Sequence, residues 1–142
     1  MAKVLIVYAT RSGETQNIAD LVAEGIRFAG HEANVAGVKE IKNEADLDGY
    51  VFGSSTYHGE MLQGMKTFLF LTENANLAGK VGGAFGSFGW SGEANDRIFE
   101  TMKHILKMDM VGDTLRLKSS SLGGGQQMAQ DYGREIAKKL EG

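Results

Sequence analysis

Cysteine is absent from this chain of 142 residues. Its absence excludes disulfide bonds, thiolate catalysis and iron–sulfur clusters held by cysteine. The three histidines, His31, His58 and His104, are scattered and match no metal-ligand spacing. We therefore expect neither a metal site nor cysteine chemistry.

The chain has no excess of positive charge and no long apolar run. Its formal net charge is −3, whereas a nucleic-acid-binding domain needs a basic face. A mildly acidic surface permits docking to a basic protein. No apolar run approaches the roughly 20 residues of a membrane span. The short run at 4–9 leads into Arg11 without a cleavage-like site, so it predicts a first strand of a cytoplasmic protein rather than a signal peptide.

Length and composition indicate one globular domain. Hydrophobic residues make up 42% and charged residues 23% of the chain, which is ordinary for a single hydrophobic core at this length. No linker, repeat or low-complexity tract divides the sequence. We therefore expect residues 1–142 to form one domain.

Apolar periodicity alternates between strand-like and helix-like spacing. Strands are predicted at 3–9, 33–38, 49–54, 80–86 and 111–118, with helices around 18–29, 61–72, 98–106 and 129–140. This alternation predicts an α/β fold, a doubly wound parallel sheet with helices on both faces. In such sheets ligands bind beyond the carboxyl ends of the strands, where the winding reverses. The loops that matter are then 10–15, 54–60 and 86–93.

The first of these loops has the character of a phosphate site. It reads Thr10-Arg11-Ser12-Gly13-Glu14-Thr15 and joins a buried strand to a helix. Backbone N–H groups and the positive end of a helix dipole attract an anion, and three hydroxyls add donors. Hydroxyls at this place can also be plain helix caps. Neither a Walker loop nor G-x-G-x-x-G is present, which disfavours a nucleoside triphosphate or a dinucleotide.

The other two loops are rich in small polar residues, and each carries an aromatic residue. Tyr57 lies in the loop after the third strand, and Trp90, the single tryptophan, lies in the loop after the fourth. Two aromatics beside one crevice can stack on a flat ring. A phosphate at one end and a planar ring at the other describe a mononucleotide.

With these loops the chain resembles the short-chain flavodoxins. Residues 10–15 are similar to the family's T/S-x-T/S-G-x-T phosphate loop, and 57–59 and 86–93 are similar to the flavodoxin domains of flavodiiron proteins. The resemblance implies five strands in the order 2-1-3-4-5 and non-covalently bound FMN. It also implies that the cofactor is bound by Thr10, Arg11, Ser12, Gly13, Glu14, Thr15, Ser55, Thr56, Tyr57, His58, Gly59, Ser87, Phe88, Gly89, Trp90 and Gly92.

The family further implies a low-potential one-electron carrier rather than an enzyme. It would use the semiquinone/hydroquinone couple and dock transiently, as a monomer, to reductase and acceptor enzymes. The sequence shows no catalytic constellation of its own. An FMN-dependent NAD(P)H:quinone oxidoreductase is the main alternative, although it usually needs extra loops. A phosphoacceptor domain would need an Asp where Ser54-Ser55-Thr56 stand, and a cofactor-free interaction domain is the remaining reading.

Overall fold

Strands and helices alternate along the chain as the periodicity predicts. The computed structural model describes residues 2–10, 13–40, 47–57, 60–72, 77–87, 93–112, 114–117 and 124–141. In chain order the elements are β1 (Lys3–Ala9), α1 (Glu14–Phe28), β2 (Glu32–Gly37), β3 (Gly49–Tyr57), β4 (Glu60–Met61), α2 (Gln63–Thr72), β5 (Val81–Ser87), α3 (Glu93–Glu100, continued by a π-helical turn, Thr101–Ile105), β6 (Asp109–Met110), β7 (Leu115–Leu117) and α4 (Gly125–Leu140).

The strands form one sheet in the order β2-β1-β3-β5-β6. The pairs along this path are parallel, and β7 also pairs in parallel with β5, so β6 and β7 share the fifth position. Strand β4 is an addition that pairs antiparallel with β3. The order 2-1-3-4-5 that the family resemblance implies is confirmed, and β2 lies at an edge of the sheet.

The core lies on both faces of the sheet. In β1, Val4 and Ile6 pack with buried residues of α1 and α4, whereas Leu5 and Val7 pack with those of α2 and α3. All four side chains are at most 3% exposed. Burial on both faces explains why this strand is a continuous apolar run instead of an alternating one.

Helices α1 and α4 cross closely on one face of the sheet. The crossing is made by Gly25 of α1 and Gly133 of α4. A Cβ atom on Gly25 would overlap the backbone carbonyl of Gln130, and one on Gly133 would overlap that of Val22. These two glycines therefore set how near the helices can approach.

The region after the third strand differs from the prediction. Strand β3 runs to Tyr57 instead of ending at Ser54, and β4 folds back onto it through the pairs Thr56–Met61 and Tyr57–Glu60. Small polar residues here predicted a loop, but cross-strand pairing overrides that weak signal. Because Met61 belongs to β4, α2 begins at Gln63 and not at residue 61.

The last strand is split rather than continuous over 111–118. Strands β6 and β7 are separate, and Gly112 between them has a φ of 39°. The predicted alternation holds in β7, where Leu115 and Leu117 are buried and Arg116 is exposed. Lys118 lies outside the described residues.

A tyrosine from α4 fills the gap between β6 and β7. The Tyr132 hydroxyl accepts a hydrogen bond from the Ala84 N–H at 2.9 Å and donates to the Ala84 carbonyl at 3.1 Å. Ala84 lies in β5 between the residues that pair with β6 and those that pair with β7. One buried side chain thus takes the place of a missing strand partner.

Removing this hydroxyl should destabilise the protein without changing its fold. Tyr132→Phe leaves a buried N–H and a buried carbonyl of Ala84 without this partner, which costs about 1–3 kcal/mol per unsatisfied group. Urea unfolding followed by circular dichroism measures the loss. An unchanged midpoint and slope would contradict the role assigned to Tyr132.

Candidate functional site

The three loops predicted to form the site begin at one edge of the sheet. In the register of the strands, Ala9 pairs with Ser54, Ser54 with Gly86, and Ser55 with Ser87. The carboxyl ends of β1, β3 and β5 therefore lie side by side. This is the convergence that the alternation of strands and helices predicted.

The turn from β1 into α1 is built on Thr10 and Gly13. Gly13 precedes the helix with a φ of 90° and a ψ of −9°, a left-handed conformation that favours glycine. Its N–H donates to the Thr10 hydroxyl at 2.9 Å, and its carbonyl accepts from the Asn17 N–H at 3.1 Å. Gly13 has no side chain with which to cap α1. The positive end of a 15-residue helix thus begins at the edge where the strands converge.

A buried pair of hydroxyls joins this helix to the central strand. Thr15, in the first turn of α1, and Ser55, in β3, lie with their hydroxyl oxygens 2.7 Å apart, and either can be the donor. Thr15 is fully buried and Ser55 is 7% exposed. The pair places two neutral hydroxyls, from two different elements, beside the start of α1, and one of their two hydrogens forms the bond between them.

The remaining candidates fall into two groups. Thr56 and Tyr57 form the end of β3, Ser87 ends β5 opposite Ser55, and Glu14 opens α1 half-buried. The other predicted cofactor-binding residues lie outside the described residues: Arg11, Ser12, His58, Gly59, Phe88, Gly89, Trp90 and Gly92. The structure therefore brings the described residues of the first loop to the same edge of the sheet as the end of β3.

Two residues near this edge were not anticipated from the sequence. Ser54 precedes Ser55 and is fully buried, with a hydroxyl that is hydrogen-bonded on both sides. Leu62 donates one of these bonds from its backbone N–H. A serine inside a predicted strand gives no sign of such bonds, because they depend on β4 folding back.

A cavity of about 390 Å³ lies next to the first loop, on the β2 side of β1. Its lining includes Thr10, Lys39, Glu40 and the phenol of Tyr8. Burial, followed by the nearby carboxylates of Glu40 and Asp20, raises the pKa of Tyr8 above its ordinary value of 10.0. Negative charge is therefore disfavoured at this phenol.

The described residues contain neither a candidate membrane span nor a candidate metal site. No helix in them is both long and apolar enough to cross a membrane. No group of three or more histidine, aspartate or glutamate side chains among them could hold a metal ion.

A family model described as a flavodoxin domain matches residues 5–117. The match covers most of the chain, so the chain belongs to the flavodoxin family, and the resemblance seen in the loop motifs is confirmed. The solved structure of a flavodoxin from the domain Archaea is 31% identical, with a TM-score of 0.93 and coverage of 99% of both chains.

Longer proteins also match this chain. Putative diflavin flavoprotein A 3 of Synechocystis sp. is 31% identical over 97% of this chain and 24% of its own length. Rubredoxin oxygen:oxidoreductase of Desulfovibrio gigas is 26% identical, with a TM-score of 0.90, over 98% of this chain and 36% of its own. The chain spans 24–33% of the first curated relatives that it matches.

FMN is the cofactor of this family, and the described residues fit it. The beginning of α1 offers a positive helix end to a phosphate. Thr15 and Ser55 hold buried hydroxyls beside that helix end, and Gly13 keeps the turn free of a Cβ atom. The adjoining ends of β3 and β5 leave the same edge for the rest of a mononucleotide.

The raised pKa of Tyr8 predicts that the free energy of unfolding falls at alkaline pH. A phenol that holds its proton more tightly when folded contributes stability that is complete below pH 10.0 and is lost as pH rises above it. Tyr8→Phe should therefore unfold with a shallower fall in stability above that pH. Urea unfolding at a series of alkaline pH values measures the slope, and equal slopes in both proteins would contradict this prediction.

Proposed function

We propose that this chain carries single electrons between redox proteins by means of non-covalently bound FMN. The observation that carries the proposal is the hydroxyl pair Thr15–Ser55, placed where the start of α1 meets the carboxyl end of β3. An anion-binding helix end and a neighbouring pair of buried hydroxyls suit the terminal phosphate of a mononucleotide.

Each described part of the site has a role in this proposal. Thr10 and Gly13 shape the turn. With Ser55 donating to Thr15 in the hydroxyl pair, the Thr15 hydroxyl donates its own hydrogen to a phosphate oxygen. Glu14 would contribute its backbone N–H, because its carboxylate repels a phosphate. Bound FMN supplies the one-electron chemistry, so the protein's task is to bind and orient the cofactor and to tune its surroundings.

Transient docking to a reductase and to an acceptor enzyme completes the proposal. The net charge of −3 favours partners with a basic docking face through long-range attraction. The relatives support a second possibility, in which this domain is one part of a larger flavoprotein, because the chain matches about a quarter to a third of the length of several longer flavoproteins. In that context the domain would pass electrons to a catalytic domain or a diiron partner.

The phosphate role of Thr15 can be tested by removing its hydroxyl alone. Thr15→Val keeps the side-chain shape but loses a hydrogen bond to a charged phosphate. The expected cost of about 1.5–3 kcal/mol weakens FMN binding roughly 10- to 100-fold. Titration of the apoprotein with FMN, followed by flavin fluorescence, measures Kd.

Thr67→Val is the matched control for this titration. Thr67 lies exposed on α2, where its hydroxyl accepts only a long hydrogen bond of 3.4 Å from Gln63 in the described contacts. Its loss should leave Kd unchanged. Equal FMN affinities for wild type and Thr15→Val would refute the proposed hydrogen bond between Thr15 and the phosphate.

Electron carriage can be separated from the enzymatic alternative by one set of measurements. A carrier should take up FMN, accept electrons in two resolved one-electron steps during reductive titration, and fail to oxidise NADH or NADPH steadily with a quinone as acceptor. Steady turnover of either nucleotide would instead favour a quinone oxidoreductase. A protein that takes up no FMN would overturn both functions and favour a cofactor-free interaction domain.

A further inference from the structure

Ser54 is a polar residue of the central strand, near its carboxyl end, and the proposed cofactor contacts do not use it. It lies in β3, paired with Ala9 on one side and Gly86 on the other, and is fully buried. A buried hydroxyl is costly unless it is hydrogen-bonded. Its two partners therefore show what it does.

The Ser54 hydroxyl connects the end of β3 with the beginning of α2. It donates to the Ser55 carbonyl at 2.9 Å and accepts from the Leu62 N–H at 3.1 Å. The Leu62 carbonyl in turn accepts from the N–H groups of Met65 and Lys66, at 3.0 and 3.2 Å, in the first turn of α2. The Ser54 hydroxyl thus links β3, the first strand of the β3–β4 hairpin, to Leu62, the residue that follows β4.

The backbone ladder of this hairpin is short in the described residues. Its ladder consists of two residue pairs, Thr56–Met61 and Tyr57–Glu60. A two-stranded ladder of this length is not stable by itself in water. The Ser54–Leu62 bond follows directly on the Thr56–Met61 pair and closes the base of the hairpin.

We propose that Ser54 is a positioning residue that holds the cofactor-binding arm Ser55–Tyr57 in place. Ser55 is hydrogen-bonded at two points. Its hydroxyl pairs with the hydroxyl of Thr15, and its carbonyl accepts a bond from the hydroxyl of Ser54. Ser54 therefore couples the phosphate end of the site to the arm beyond it. This inference rests on the proposed function, because it assigns Ser54 an effect on FMN.

The test compares Ser54→Ala with wild type in two measurements. In the apoprotein, amide hydrogen exchange at Leu62 should become about fivefold faster or more, since its N–H loses its acceptor. In the FMN titration, Kd should rise about three- to tenfold, and the one-electron potentials should shift. Ser54→Thr keeps the hydroxyl and should restore the exchange rate, the Kd and the potentials towards wild type.

Thr72→Val is the matched control because it also removes a buried hydroxyl that is hydrogen-bonded to a backbone carbonyl. Thr72, at the far end of α2, donates to Leu69 at 2.7 Å and is 8% exposed. Its loss should lower stability while FMN affinity and potentials stay at the wild-type values. If Ser54→Ala does not fold, Ser54→Cys serves, because a thiol has a similar shape but is a weak acceptor.

The outcomes distinguish this inference from the proposed function. Wild type that binds no FMN overturns the function and, with it, this role of Ser54. Wild type that binds FMN, together with a Ser54→Ala protein of equal affinity and equal potentials, overturns the positioning role alone. Unchanged exchange at Leu62 also overturns it, because the contact that carries the argument would then have no effect.

Discussion

The hydrogen bond between the hydroxyls of Thr15 and Ser55 joins the two parts of the fold on which the site depends. Thr15 belongs to the helix after the first strand, and Ser55 belongs to the neighbouring parallel strand. Residues 40 positions apart meet there because β1 and β3 are paired in register at their carboxyl ends. The pair lies at the N-terminus of α1, where we propose that the phosphate of FMN binds.

At two places in the sheet, side chains complete the backbone hydrogen bonding where regular strand pairing stops. Tyr132 supplies a donor and an acceptor to Ala84 in the gap between β6 and β7. Ser54 does the same for Ser55 and Leu62 at the base of the hairpin. In both places a buried hydroxyl supplies a hydrogen-bond partner to backbone N–H and C=O groups where regular strand pairing stops.

The long periodic segments could be predicted because their pattern reflects burial directly. The continuous apolar run of β1 and the helical spacing of Ile18, Val22 and Ile26 each indicated one element, and the structure contains both. The short segments could not be predicted equally well. Residues 55–57 looked like a loop because Ser55 and Thr56 are small and polar and carry no burial signal. The spacing over 111–118 likewise carries no sign of the break between β6 and β7, where Tyr132 bonds to Ala84.

The amino-acid sequence by itself determined the alternation of strands and helices, the position of the loop between the first strand and the first helix, and the family, because these depend on local spacing and on short motifs. The tertiary structure alone decided which hydroxyls meet, that Ser54 bonds to Leu62, and that a tyrosine 48 residues away completes the pairing of Ala84. Hydrogen bonds between distant residues require the strands to be in register. Register follows from the packing of the whole sheet and not from any one segment of it.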